Sequence, residues 1–402
     1  MNLSKSQLII LGVVALVVII FAVVVITGIG LRTGGEKASL TVWGIDSESA
    51  FAPAISGFTK ERRGVEIEYK QIQEARYEKD LIDALAAGTG PDIFMLRSDW
   101  LSKHGNKIVP APENSLSIGS FNNNFPQVAS QDFTSGNTVY ASPLYIDTLA
   151  LYYNRDIFDK EGIALPPNTW DNFKTAVSRG VTASFGGYSP LVTRATDIIN
   201  ALFMQAGADL SLQNKSFVRF SGSEGVRALD LYTDINPPSV DSYSGFADES
   251  VGMIIDYQSA KPILLGRNPF LNFGIAPLPQ FNPGAPVVPA RYYGLAVSNK
   301  SSSESIAWDF VSYATSNLSA AEGYLLATGR PPALRSLIQE YINTPALGVF
   351  ASQALIARSW NMPPVEEVSE VFNTMIQSVL SGENNIREAL TQAELSINNI
   401  IR

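Results

Sequence analysis

The sequence contains no cysteine. Disulfides, thiolate metal sites, cysteine nucleophiles and a lipid-modified N-terminal cysteine are therefore excluded. Histidine occurs once, at His104. A Ser-His-Asp triad would have to use it, and a multi-histidine metal site is impossible. Basic residues are also scarce: Lys+Arg 29 stand against Asp+Glu 38, a net charge of -9. Nucleic-acid binding needs a basic footprint, so this balance argues against that class. Charged residues make up only 17% and hydrophobic residues 46%, which is ample material for packed cores and rules out disorder for most of the chain. Single cores rarely grow past ~250–300 residues, so 402 residues imply more than one lobe.

One long apolar run is present. Leu8–Ile26 carries no charge, and a weakly polar tail extends it to Leu31. As a helix it would reach ~36 Å at ~1.5 Å per residue, enough for a ~30 Å hydrocarbon core. A cleaved signal peptide usually has an apolar region of only ~7–15 residues, and no clear A-x-A site follows this run. The expectation is an uncleaved single-pass anchor in the plasma membrane over residues 1–31, touching lipid through 8–31. A tether over 32–38 and a domain outside the cytoplasm follow. Lys5 before the run and Arg32 after it leave the orientation bias nearly balanced. Gly28-x-Gly30 and Gly34-Gly35 follow this run rather than a strand, so a dinucleotide-loop reading is discarded.

After Ala38 the pattern alternates strand and helix. Ser39–Trp43, Val65–Tyr69 and Ile93–Leu96 read as strands. Phe51, Ile55 and Phe58 share helical spacing, with Pro53 expected in the first turn. Tyr77, Leu81 and Leu85 mark a second helix, capped by Gly88. This βαβαβ order predicts a parallel sheet covered by helices. A second unit begins after Tyr140. Leu149–Tyr153, Val251–Ile255 and Phe273–Ala276 read as strands, and Thr169 caps a helix carrying Trp170 and Phe173. Leu295–Val297 is a short strand that can return the chain to the first unit. Ile386, Leu390, Ala393, Ile397 and Ile400 mark a C-terminal helix. Two α/β lobes, each visited more than once, fit this order better than two sequential domains.

Several segments, taken in order, resemble one family. They are Leu85-Ala-Ala-Gly-Thr-Gly-Pro-Asp-Ile-Phe94, Leu151-Tyr-Tyr-Asn-Arg-Asp-Ile-Phe158 and Thr169-Trp-Asp-Asn-Phe173, then Gly274-Ile-Ala-Pro-Leu-Pro279, Tyr293-Gly-Leu-Ala-Val-Ser298 and Thr328-Gly-Arg-Pro-Pro-Ala333. The set is similar to the family 1 extracellular solute-binding proteins, the maltose-binding-like receptors of ABC importers. It spans roughly residues 39–400, nearly the whole soluble part. The resemblance implies a two-lobe periplasmic-binding-protein-like α/β fold of type II, with a hinge and an interlobe cleft. Lobe 1 would comprise 39–146 plus 296–342, and lobe 2 would comprise 147–295 plus 343–402. It also implies a non-enzymatic receptor that binds a small solute, a carbohydrate first, and serves ABC permease subunits, with no cofactor. The chain departs from the family in its apparent anchor. It also carries Tyr292-Tyr293 where relatives often have Gly-Gly.

A sugar offers hydroxyl pairs and apolar C–H faces, which suit carboxylate, amide and guanidinium groups together with aromatic rings. Candidates lie where strands end. Trp43 and Asp46 follow the first strand, with packing and helix capping as competing roles. Arg97, Ser98 and Asp99 follow the third, and the resemblance favours Asp99. Tyr145 and Asp147 precede the Leu-Tyr-Tyr-Asn strand. The resemblance places an acidic contact at Asp147, with a hinge role as the alternative. Asp256 and Tyr257 follow the strand ending at Ile255, and Tyr257 matches a sugar-stacking position. Of Tyr292 and Tyr293, one ring should face the cleft, and Tyr292 joins the candidate set. Trp360 lies near the family's last cleft segment. Arg330 reads as structural. Three other functions remain open: a carboxylate-dependent glycoside hydrolase using two of Asp99, Asp147 and Asp256, a receptor for a non-sugar solute such as ferric ion, a polyamine or a peptide, and an interaction module that has lost ligand binding.

Overall fold

A computed structural model describes residues 37–185, 194–208, 210, 217–235, 242–345, 347–359 and 365–401. β1 (Ala38–Gly44) pairs in parallel with β2 (Val65–Gln71), Ala38 opposite Val65, and also with β3 (Ile93–Arg97). The returning helices are Glu48–Glu61 and Glu74–Ala87. They bury Ala50, Phe51, Ala54 and Phe58, then Tyr77, Leu81 and Leu85, the apolar stripe expected from a 3.6-residue period. Gly88 stops the second helix with φ +73°, a left-handed turn that costs glycine little. Pro53 differs from expectation. The helix begins at Glu48, so the proline lies in its second turn. The helix Leu318–Thr328 packs there through Gly323, where a Cβ would stand 2.6 Å from the Pro53 Cβ.

The sheet is mixed rather than purely parallel. β14 (Tyr293–Ser298) enters antiparallel beside β3, Leu295 opposite Met95, and also pairs with β4 (Ile108–Val109) and β7 (Ser142–Pro143). The strand order is β2-β1-β3-β14-β4, with β7 on β14. A small hairpin of β5 (Thr134–Ser135) and β6 (Thr138–Val139) lies apart. A second sheet runs β10 (Ala183–Phe185), β11 (Met253–Asp256), β9 (Ala150–Asn154), β12 (Phe273–Pro277). Successive residues of β9 serve opposite faces. Leu151 joins one apolar cluster with Met253 and Ile255, and Tyr152 joins another with Ile254 and Phe246. Both faces are thus covered, which explains the unbroken apolar runs in these strands. Thr169 caps the helix Trp170–Ser178 as predicted, its hydroxyl accepting the Asn172 N–H at 3.1 Å.

The two main cores divide the chain discontinuously. One gathers residues from Leu40 to Ile146 and from Tyr292 to Ala357. The other gathers Leu149 to Val288 and Val368 to Ile397, including the C-terminal helix Ile386–Ile400. Between them lies a third small sheet made where the chain crosses: β8 (Asp147–Thr148), β13 (Val288–Arg291) and β15 (Ala357–Arg358). β13 pairs antiparallel with β8, Arg291 opposite Asp147, and parallel with β15. The result is a two-lobe α/β fold joined by short crossing strands. Among the described residues no helix is long and apolar enough to cross a membrane. The run expected to span, residues 8–31, lies outside the described residues.

Candidate interlobe binding cleft

In open α/β sheets, ligands sit beyond the carboxyl ends of the strands. β3 ends at Arg97 and β11 at Asp256, and β8 begins at Asp147. A cavity of about 390 Å³ opens between the two cores at these ends. From the first core it takes Arg97, Trp100, Tyr145, Tyr293 and Arg330, with Glu74 and Glu78 at one side. From the second core and the crossing strands it takes Asp147, Arg291, Tyr257, Ser259 and Glu366. Two hollows of about 430 Å³ lie elsewhere. One runs along Leu165–Asn168 and the helix Trp170–Ser178, and the other lies beside Asp99 and Asp132. The interlobe cavity differs from both in bringing rings and guanidinium groups together from distant segments.

Each cleft arginine is backed by a carboxylate. Arg97 Nε and Nη2 donate to the two Asp99 oxygens at 2.5 and 2.9 Å, and its guanidinium lies 4.8 Å from the Trp100 ring centroid. Arg330 Nη2 and Nε donate to Asp46 Oδ1 at 2.7 and 3.2 Å. The Tyr324 hydroxyl donates to the other Asp46 oxygen. An isolated bridge from Tyr145 to Pro332 sets Arg330 over the Tyr145 ring at 4.3 Å. Arg291 Nη1 donates to Asp197 Oδ2 at 2.9 Å. These pairs fix the planar groups and cancel much of their charge, which suits hydroxyl recognition more than capture of an anion. Burial pushes the Tyr145 and Tyr293 phenols above their ordinary range, so both hold their protons at neutral pH.

Asp147 is buried on the cavity wall. Its Oδ1 accepts the backbone N–H of Thr148 at 2.9 Å and of Gln258 at 3.1 Å. It thus ties the first crossing strand to the loop after β11. Glu78 accepts from His104 Nε2 and Lys103 Nζ, both at 2.8 Å. Burial alone would raise its carboxyl, but these two donors outweigh it and bring it down to about 2. The Trp100 indole packs against Tyr77 and edge-on to Tyr293, with centroids 6.2 and 5.9 Å apart.

Of the sequence-derived candidates, the structure brings Tyr145, Asp147 and Tyr257 to the cavity. Five others do not line it. Trp43 packs against the first core beneath Lys70, and Asp46 stands behind Arg330. Asp99 stands behind Arg97 and borders the neighbouring hollow. Asp256 is fully buried and accepts the Tyr243 hydroxyl at 2.6 Å and the Tyr257 N–H at 2.6 Å. Tyr292 likewise turns into the first core, where its hydroxyl donates to Asp132 at 2.6 Å, while Tyr293 takes the cleft position. Trp360 lies outside the described residues. Tyr293 meets the expectation that one ring of the pair faces the cleft, and lining residues outside the candidate set include Arg97, Trp100, Arg291, Arg330 and Glu366. Arg97 had a usable signal, since it is the last residue of a buried strand.

This architecture, two α/β lobes around a polar and aromatic cleft, is that of a solute receptor. The sequence pattern of bacterial extracellular solute-binding proteins matches residues 44–320, and the chain belongs to that family. It is 21% identical to a putative binding protein of Brucella abortus, covering 88% of this chain and 90% of the relative. It is 23% identical to the maltodextrin-binding protein of Bacillus subtilis over 83% of this chain and 84% of the relative. Among solved structures, the cyclic alpha-maltosyl-1,6-maltose binding protein of Arthrobacter globiformis superposes with a TM-score of 0.79. That match has 21% identity and covers 91% of this chain and 99% of the other.

Proposed function

We propose that this protein is the substrate-binding component of an ABC importer, taking a neutral mono- or oligosaccharide into the interlobe cleft. The observation that carries this reading is the cleft wall itself. Trp100, Tyr145 and Tyr293 offer ring surface beside Arg97 and Arg330, two guanidinium groups already neutralised from behind. Rings suit the apolar faces of a sugar, and fixed planar donors and acceptors suit its hydroxyl pairs. Relatives named for maltodextrin and maltotriose binding support the same class. Lobe 1 is proposed as 39–146 plus 292–357 and lobe 2 as 147–291 plus 358–401, a type II arrangement whose bounds move from those expected of the sequence because Tyr292, Tyr293, Leu295, Ala351, Ala354 and Ala357 pack in the first core. Residues 1–31 are proposed as a membrane anchor and 32–38 as a tether, holding the receptor outside the cytoplasm beside its permease. The protein binds and releases without chemistry. Of the three aspartates a hydrolase would draw on, Asp147 alone lines the cavity. Phenols whose proton affinity is raised by burial are poor phenolate ligands, which weighs against ferric ion.

Thermal unfolding of residues 36–402 against mono- and oligosaccharides, amino acids, polyamines and ferric citrate tests this. A ligand at 100 times its dissociation constant stabilises the fold by ~2.7 kcal/mol, a readily measured rise in melting temperature. A rise with one sugar class is expected. A rise only with iron or a polyamine would replace the sugar with that solute.

A further inference from the structure

Glu366 sits in the first turn of the helix Val365–Leu380, whose Val368 and Phe372 belong to the second core. Its carboxylate reaches across to the first lobe. Oε2 lies 3.3 Å from Lys103 Nζ, and Oε1 lies 3.7 Å from Arg97 Nη2. Both cations are already held on their own side. Lys103 Nζ is 2.8 Å from Glu78 Oε1, and Asp99 grips Arg97. The first lobe therefore presents a braced pair of positive groups, and the second presents one carboxylate from a helix start. The same Arg97 and Glu366 line the cleft, so the contact lies at the ligand space and not on a remote surface.

We propose that Glu366, Lys103 and Arg97 form an ion-pair latch across the cleft that biases the lobes toward closure before any ligand arrives. This rests on the two-lobe receptor reading, but it goes beyond that reading by naming what sets the open–closed balance. Glu366 and Lys103 are half-exposed, so the latch is weak and screened by salt. A weak contact suffices for a hinge whose two states are nearly balanced, because a ligand changes the populations only through its differential affinity for them. A latch of this exposure multiplies the closed-to-open ratio about twofold to fivefold. It raises apparent sugar affinity by reducing the rearrangement the sugar must drive.

The chain has no native cysteine, so paired spin labels can be attached cleanly at Asp83→Cys on the first lobe and Gln377→Cys on the second. The interlobe distance is then measured without sugar. Glu366→Gln and Lys103→Gln should each shift the distribution toward the longer distance. The double variant should shift it no further than Glu366→Gln alone, which already removes the contacts to both Lys103 and Arg97, the non-additivity of partners in one contact. Raising salt from about 20 to about 500 mM should open the native protein and leave the variants nearly unchanged. Native and variant distributions that coincide, or variant effects that simply add, would overturn the latch. Because no sugar is present, failure of the carbohydrate reading leaves this result intact. A latch that fails while sugar still binds would remove only the latch.

Discussion

The two walls of the cleft are unequal. The first lobe supplies Trp100, Tyr145, Tyr293, Arg97 and Arg330, each packed or ion-paired into its core. The second supplies Tyr257, Ser259 and Glu366, with Asp147 and Arg291 on the strands between. A preorganised wall gains more from a ligand than a sparse one, because less side-chain freedom is lost on contact.

The sharpest break in this comparison is Arg330→Ala. It removes the cation over Tyr145 and leaves the Asp46 carboxylate without its cation, held by the Tyr324 hydroxyl alone, so we expect a stability loss of about 3 kcal/mol and no measurable sugar affinity. Denaturant unfolding and calorimetric titration read both. Next comes the adjacent tyrosine pair. Tyr293→Ala should cost about tenfold in affinity, the ~1.4 kcal/mol scale of one aromatic contact. Tyr292→Phe removes a buried hydroxyl bond to Asp132, so it should cost about 1 kcal/mol of stability and leave affinity unchanged. On the opposite wall, Tyr257→Ala should weaken binding only about threefold, below the hot-spot range. Equal losses at Tyr293 and Tyr257 would erase the asymmetry.

A smaller effect concerns pH. His104 and Lys103 depress the Glu78 carboxyl from 4.5 to about 2 in the folded state. A depressed acid adds stability above the unfolded pKa and loses it as pH falls through the folded one. Glu78→Gln should therefore lower the melting temperature at pH 7, and the gap should close between pH 4.5 and about 2. A gap that stays constant over that range would show that Glu78 acts through packing alone.

Much of the scaffold was legible because it follows local rules. The Tyr77-Leu81-Leu85 stripe with Gly88, the Thr169 cap and the return strand near Leu295 all appear where periodicity and capping chemistry put them. The site was legible only in outline. Strand ends could be located, but which neighbour faces the cleft could not. Tyr292, in the break between β13 and β14, turns into the first core and Tyr293, the first residue of β14, faces the cleft, a one-residue difference that periodicity leaves open. Asp99 and Asp46 were displaced for another reason. Ion pairs hold both behind arginines: Asp99 meets Arg97 only two residues before it, and Asp46 meets Arg330 from 284 residues away. Arg330 read as structural because its partner is invisible along the chain. The antiparallel entry of β14 likewise depends on a tertiary return rather than on any local signal.

A crystal structure with the sugar that gives the largest thermal shift tests the central claim most directly. The account predicts a ring of that sugar against Trp100, Tyr145 or Tyr293, with hydroxyls on Arg97, Arg330 or Asp147 and fewer contacts from the second lobe. A sugar bound in the hollow beside Asp99 and Asp132, or held mainly by Tyr257 and Ser259, would contradict it.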